Sequence, residues 1–323
     1  MVYDLRTDYL AEGYSEENAV EFDSEATIAA LEQALRHLEH QPERIGHGRT
    51  LCHRLVDGDR WDLVFNIAEG VRGRSREAQV PALLEMFNIP YTFSDPLVCA
   101  VTLDKAVTKK LVRDAGLNTP DFCVIRELDD THGIRMGYPL FAKPIAEGTG
   151  KGIDQSSHLE NRDQLIRLCK LLKRFDTPIL VEEFLPGREF TVGILGTGKD
   201  ARVLGTMEVE ILPEAGGTIY SLAVKEHCEE LVKYPELADV TLRTEVEELA
   251  LKSYLALECR DAGRVDIRLD SENKPSFMEL NVLPGLHPSH SDLPIIATQQ
   301  GMSYTELIGA IVDSALNRTF KAL

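Results

Sequence analysis

The segment Arg264–Gly285, RVDIRLDSENKPSFMELNVLPG, constrains the chain more than any other. Val265, Ile267 and Leu269 alternate with Asp266, Arg268 and Asp270, the period-two pattern of a strand with one buried face. Ser271-Glu272-Asn273-Lys274-Pro275 supplies turn chemistry, and Ser276–Asn281 resumes an extended run. A β-hairpin is the expectation. Period two places Glu279 and Asn281 on one face, and Asp266 joins them if the register pairs the strands across the turn. Two carboxylates and an amide oxygen are hard ligands suited to Mg²⁺. A polar hairpin face turned to water is the competing reading of the same residues.

At 323 residues the chain is long for one core, so two or three lobes are expected. A net charge of −18 opposes nucleic acid or an anionic membrane as partner, while leaving room for a local basic cleft. Cys52, Cys99, Cys123, Cys169, Cys228 and Cys259 show neither a C-x-x-C nor metal-ligand spacing, which suits reduced thiols in a cytosol. The N-terminus is acidic without an apolar signal segment, and no apolar run is long enough to span a bilayer. A cytoplasmic globular protein is the expectation.

Val2–Leu5 and Asp62–Asn66 read as strands, and Ile28, Leu31, Leu35 and Leu38 mark a helix between about Ser24 and Glu39. The helix VPALLEMFN and the strand IPYTF complete a small parallel α/β lobe over 1–98. DKAVTKKLVRDAG, closed by Gly116, opens a central lobe over 99–183. It contains the strands PDFCVI, YPLFAKP and PILVEEFL and a helix from about Leu159 to Arg174. The third lobe, 184–323, holds EFTVGILG, RVLGTMEVEIL, the helical ELADVTLRTEVEELALKSYLALE, the hairpin and a closing helix, TELIGAIVDSALNR.

Lys105 begins a helix, and Lys143 ends a strand just before the Gly-rich EGTGKGI. Glycines 148, 150 and 152 let backbone N–H groups fold over phosphates. Neither a G-x-x-x-x-G-K-[ST] nor a G-x-G-x-x-G after the first strand is present, so this is no P-loop or Rossmann protein. Taken singly, a flexible loop and solvated lysines explain these features as well.

VFNIAEG, IPYTFSDP, LDKAVTKKLVRDAGLNTP, AKPIAEGTGKGI, VEEFLPGREFTVGILG and GRVDIRLD…FMELNVLPGL occur in the order seen in D-alanine–D-alanine ligases of the ATP-grasp superfamily. The resemblance runs from about Ser15 to the last helix, and the step of thirteen residues from Asp266 to Glu279, then two to Asn281, resembles the family's metal spacing. It implies a three-lobed ATP-grasp fold, α/β with an α+β C-terminal part. It also implies an ATP-dependent carboxylate–amine ligase in peptidoglycan, that is cell-wall, biosynthesis. ATP phosphorylates one carboxylate, the amine of a second amino acid attacks the acylphosphate, and a dipeptide forms with loss of ADP and phosphate. Two alternatives stay open: joining of other amino acids or amines in a secondary pathway, and an inactive nucleotide-binding relative.

By family position, Lys105, Lys143 and the loop Gly148-Thr149-Gly150 would meet the phosphates of ATP. Glu182 would accept from the adenine amino group, Glu183-Phe184-Leu185 would offer hinge backbone bonds, and Glu189 would hold the ribose hydroxyls. Asp266, Glu279 and Asn281 would bind two Mg²⁺ ions, or Mn²⁺, and Arg264 with the Gly285 N–H would form the oxyanion site. Lys225 would lie in the lid that excludes water, and Glu17 would meet the first substrate's ammonium. The partners implied are small amino acids and a second copy of the chain, as a homodimer.

The departures fall on the amino-acid side. LAEGYS replaces the family's Gly-Gly loop, Thr149-Gly150 stands in place of Ser-Ser, Glu69-Gly70 in place of His-Gly, and Glu226 in place of the lid Tyr. PGLHPSHSDLP carries one extra residue, which leaves Ser289 or Ser291 for the serine that bonds the acceptor's carboxylate. Lining the acceptor pocket, shaping the turn and being polar loop residues are the open readings of His287 and His290. Carboxylates at 69 and 226 would favour an ammonium and repel a carboxylate. A loop ion pair from Glu69 to Arg72, Arg74 or Arg76 is the competing reading.

Overall fold

In the computed structural model, which describes residues 1–323 except 149, 176, 216–218, 220–223, 225, 226, 236, 322 and 323, helices dominate the first hundred residues. They are α1 (Arg6–Ala11), α2 (Glu16–Ala19), α3 (Glu25–His37), α4 (Gly48–Val56) and α5 (Gln79–Met86). α3 starts where the Ser24 hydroxyl accepts from the Thr27 N–H at 3.2 Å, and it buries Ile28, Leu31, Ala34 and Leu35 along one stripe. The strands expected at Val2–Leu5, Asp62–Asn66 and Ile89–Phe93 appear only as isolated parallel bridges, Val2 with Gly46 and Asn66, and Val64 with Tyr91. Their direction agrees with a parallel α/β lobe; their pairing is too short for full strands.

Asp95 and Asp104 cap two successive helices, α6 (Pro96–Leu103) and α7 (Lys105–Asp114), accepting from the Val98 and Val107 N–H groups at 3.0 and 3.1 Å. Gly116, at φ +76°, ends the second in the left-handed conformation glycine favours. A four-stranded antiparallel sheet follows, in the order β1 (Phe122–Ile125), β4 (Ile179–Glu183), β2 (Leu140–Pro144), β3 (His158–Leu159). Helix α8 (Arg162–Leu172) covers it, and Leu140, Ala142, Leu165, Leu168 and Val181 form its own core.

The C-terminal part is a five-stranded antiparallel sheet. β5 (Glu189–Leu195), β6 (Arg202–Ile211), β7 (Val232–Lys233), β8 (Ala262–Leu269) and β9 (Pro275–Asn281) take the order β7-β6-β5-β8-β9. Helices α9 (Cys228–Leu231), α10 (Val240–Ala256), α11 (Asp292–Gln299) and α12 (Tyr304–Lys321) accompany it.

Ile28, Leu31 and Phe93 of the first part belong to the same core as Phe190, Val265, Leu307 and Ile311 of the last. The chain ends therefore fold together, and the central sheet stands apart with its own core. Asp261 clamps this junction. Fully buried, it accepts from the Phe93 N–H at 2.8 Å, from Ser314 Oγ at 2.9 Å, and from Arg318 Nε at 3.2 Å and Nη2 at 3.0 Å. Helices α6 and α7 pack against β9 as well as against each other, joining the central lobe to the C-terminal sheet.

Candidate active site

The hairpin of β8 and β9 pairs Arg264 with Asn281, Val265 with Leu280 and Asp266 with Glu279, and then slips: Ile267 faces Phe277. Met278 is the extra residue of a β-bulge. Phe277 and Leu280, both buried, lie three residues apart, and strict alternation would send them to opposite faces. The bulge restores the phase. It leaves Asp266 and Glu279 side by side on the polar face, with side chains 13% and 22% exposed, which is no fully solvated hairpin face.

Asp266 is held from three sides. Thr191 Oγ1 donates to Oδ1 at 3.0 Å, and Arg264 Nη2 and Asn281 Nδ2 donate to Oδ2 at 3.0 and 3.4 Å. Arg264 also reaches Asp292 Oδ2 through Nη1 at 2.5 Å. Glu279 Oε2 lies 3.4 Å from Lys143 Nζ and 3.7 Å from Lys105 Nζ. Lys105 additionally donates to the Glu147 carbonyl at 2.8 Å.

A chain of alternating charge runs on from there. Lys143 lies 3.4 Å from Glu182 Oε1, and Lys109 lies 2.9 Å from Glu182 Oε2, both lysines and the carboxylate being buried. These are ionic contacts without hydrogen-bond alignment, so both Glu182 oxygens are buried with no hydrogen-bond partner among the described residues. Burial pushes the Glu182 carboxyl up, and the two ammonium groups override it, holding it below its usual range. Burial lowers the Lys109 ammonium to about 8 against the pull of Glu182. Burial acts on Lys143 too, yet Glu182 and Glu279 together hold it above the usual lysine range. Two carboxylates face Lys143 closely; one faces Lys109.

The Gly-rich loop is tied to the N-terminal part by Glu21 and Arg76. Glu21 Oε1 accepts from the Gly148 N–H at 2.5 Å and Oε2 from Arg76 Nη2 at 3.2 Å, while Arg76 Nη1 donates to the Ala146 carbonyl at 2.8 Å. The loop before Arg76 turns at Gly70, φ +71°, where a Cβ would lie 2.6 Å from the Arg76 carbonyl oxygen, so only glycine fits.

Two adjoining chambers meet at the hairpin. The larger, about 290 Å³, is lined by Glu21, Glu69, Glu77, Gly285, His290 and Ser291 among others. The smaller, about 70 Å³, has Phe141, Lys143, Gly150, Ile153, Glu189 and Met278 on its wall. Lys105, Glu147, Arg264, Glu279 and Asp292 line both. Glu189 is fixed by Arg268 Nη1 at 3.3 Å.

Several expectations are corrected. Glu17 does not reach the cavity: it is exposed and pairs with Arg174 at 2.9 Å, and Glu21, four residues on, lines the wall instead. Glu182 turns its carboxylate to Lys109 and Lys143 and lines neither chamber. In the hinge, the Glu183 N–H donates to the Asp121 carbonyl and the Phe184 N–H to the Pro139 carbonyl, leaving the Leu185 N–H as the hinge donor not so engaged. The Phe184 ring packs on His158, centroids 4.3 Å apart, and under the Arg268 guanidinium. Ser289 stays exposed beside His287, whereas Ser291 lines the cavity, its hydroxyl accepting from the His287 N–H at 2.9 Å. Glu69 makes no ion pair with a loop arginine among the described residues: Arg74 goes to Asp104, Arg76 to Glu21, and Arg72 is exposed. Thr149, Lys225 and Glu226 lie outside the described residues.

Sequence reasoning missed Lys109, Glu21, Glu77, Thr191 and Asp292, and offered Arg76 only as a loop partner of Glu69. Only Lys109 had a local signal, since it follows Lys105 by one helical turn and shares its face. Among the described residues no group of three His, Cys, Asp or Glu side chains forms a metal cluster. The hairpin offers instead two carboxylates and one amide, an all-oxygen set that fits a hard divalent cation sharing its sphere with phosphate and water.

The family profile described as "D-ala D-ala ligase C-terminus" matches residues 111–313. The D-alanine–D-alanine ligase of Aquifex aeolicus is 34% identical over 310 residues, covering 95% of this chain and all of that protein. An uncharacterized protein of Sinorhizobium fredii is 34% identical over 80% of this chain and 76% of its own length. The crystal structure of Bacillus anthracis D-alanine–D-alanine ligase complexed with ATP superposes with a TM-score of 0.74 at 23% identity, covering 100% of this chain and 98% of that one, and so shares the ATP-grasp fold. With a profile match over 111–313 and 34% identity over 95% of its length, the chain belongs to the D-alanine–D-alanine ligase family.

Proposed function

We propose that this protein is an ATP-dependent carboxylate–amine ligase that joins two amino acids into a dipeptide, D-alanyl-D-alanine or a related product, by way of an acylphosphate. The observation that carries the reading is the in-register pairing of Asp266 with Glu279 where the two chambers meet, within reach of Lys105, Lys143 and Arg264. The chemistry must bring anionic phosphates against an anionic carboxylate, and it needs cations at that point. Lys105 and Lys143 are the ammonium groups available to phosphate oxygens. Asp266, Glu279 and Asn281 would hold Mg²⁺, which neutralises phosphate charge. Arg264 and the Gly285 N–H would face the oxyanion, and Glu189 the ribose hydroxyls. The apolar walls of the smaller chamber, Phe141, Ile153 and Met278, suit a planar base. Glu21 takes the place expected for Glu17 beside the first amino acid.

The names of the relatives from Bordetella petrii and Aquifex aeolicus, both D-alanine–D-alanine ligases, favour this reading over an inactive binder or a secondary-pathway ligase. It also takes the protein to be a cytoplasmic homodimer supplying a cell-wall precursor. No helix among the described residues is long and apolar enough to cross a membrane. Glu279→Gln is expected to abolish phosphate release from ATP with D-alanine while ATP still binds weakly. Near-normal release by that variant would remove the metal assignment, and a monomeric mass in light scattering would remove the dimer.

A further inference from the structure

The larger chamber carries more negative than positive charge. Its wall holds Glu21, Glu69, Glu77, Glu147, Glu279 and Asp292 against Arg6, Lys105 and Arg264, with His290 beside them. Each cation already answers a carboxylate: Arg6 pairs with Glu16 at 2.9 Å, Lys105 lies 3.7 Å from Glu279, and Arg264 bridges Asp266 and Asp292. Glu21 is answered by Arg76, Glu147 by Lys151 and Glu279 also by Lys143. Glu69 and Glu77 remain. Neither has a hydrogen-bond or ion-pair partner among the described residues: of the three loop arginines between them, Arg74 pairs with Asp104 and Arg76 with Glu21, and Arg72 is exposed and pairs with neither acid. Burial raises both carboxyls. Glu77 and Glu21 add to the rise in Glu69, and Arg76 opposes it. In Glu77, Arg76 opposes the rise, Glu21 adds to it and Lys105 opposes it. Two half-buried acids facing one chamber with no direct ion-pair partner among the described residues gain from an ammonium between them, which favours the charged form of both.

We propose that Glu69 and Glu77 select, as one of the two amino acids joined, a diamino acid whose side-chain ammonium sits between the two carboxylates. The inference rests on the ligase reading and deepens it by naming a substrate class. Asp292, 2.5 Å from the Arg264 guanidinium, adds negative charge beside the reacting centre. Surplus positive charge on the substrate is favoured there, and surplus negative charge opposed. An apolar side chain of the same length gains nothing from either carboxylate.

The test uses the full chain with ATP and Mg²⁺, reading phosphate release and the mass of the dipeptide. D-Alanine is offered alone and with lysine, ornithine or norleucine, each as both enantiomers. Norleucine has the length of lysine without its charge. Lysine or ornithine is expected to exceed both D-alanine and norleucine in kcat/KM by about tenfold or more. Glu77→Gln and Glu69→Gln should each collapse that ratio several-fold. Because the ratio is taken within one preparation, a partly unfolded variant does not distort it. If D-alanine or norleucine is used as well as lysine and ornithine, the proposal is overturned while the ligase reading stands. If no pairing releases phosphate, the ligase reading falls and takes the proposal with it.

Discussion

Replacing Lys109 by Met should destabilise the protein by about 3 kcal/mol. Lys109 and Glu182 are 0% and 1% exposed, so the change leaves a carboxylate inside the protein with one cation instead of two. Breaking a buried pair from one side costs about 3–5 kcal/mol. The lower end applies because Lys143 stays 3.4 Å from the other Glu182 oxygen. The Phe277 carbonyl, which Lys109 also contacts, keeps the Thr119 hydroxyl at 2.9 Å and is not orphaned. Met fills a similar volume, so the cavity contribution is small. The assay is urea denaturation at pH 7 of the wild type, Lys109→Met, Glu182→Gln and the double variant. With the Glu182 charge also removed, the double variant should recover about 2 kcal/mol relative to additivity. A loss below about 1 kcal/mol in Lys109→Met, or strict additivity in the cycle, would refute the view that the lysine exists to neutralise Glu182.

Burial raises the Glu77 carboxyl from 4.5 to about 7. A folded value above the unfolded one contributes stability that is fully present below pH 4.5 and lost as pH rises through about 7. Glu77→Gln should therefore be more stable than the wild type at pH 8, by up to about 3 kcal/mol, and the advantage should vanish at pH 4.5; denaturation at the two pH values checks it. Asp261→Ala strips the buried junction of the acceptor for Phe93, Ser314 and Arg318, and thermal unfolding should show a loss of about 3–5 kcal/mol. Arg264→Ala should lower turnover about a hundredfold with little change in the KM for ATP, and an equal effect on both would contradict an oxyanion role.

Much of the fold was legible because it is periodic. The apolar stripe of α3 and the alternation of β8 are local patterns with local causes. The bulge at Met278 was not read: strict alternation groups Met278 with Leu280, and only the structure shows Phe277 and Leu280 buried together. The parallel strands of the N-terminal part were harder. They shrink to single bridges because each meets its partner over one residue pair, which no run of β-formers reveals.

The candidate site divides along the same line. Asp266, Glu279 and Asn281 could be placed from the sequence, because hairpin register links residues only a turn apart. The sequence likewise pointed to Lys105 and Lys143, which the structure brings beside Glu279, and to the family. The tertiary structure alone decided which acid near α2 meets the cavity. Glu17 and Glu21 look alike in the sequence, and the choice was made by Arg76 and Gly148, which come from 55 and 127 residues away. It alone decided that Glu182 lies against two lysines and that Glu69 and Glu77 line a chamber with no ion pair among the described residues. A charge acquires its role from what surrounds it in three dimensions, and that surrounding is assembled from segments whose order along the chain carries no record of their meeting.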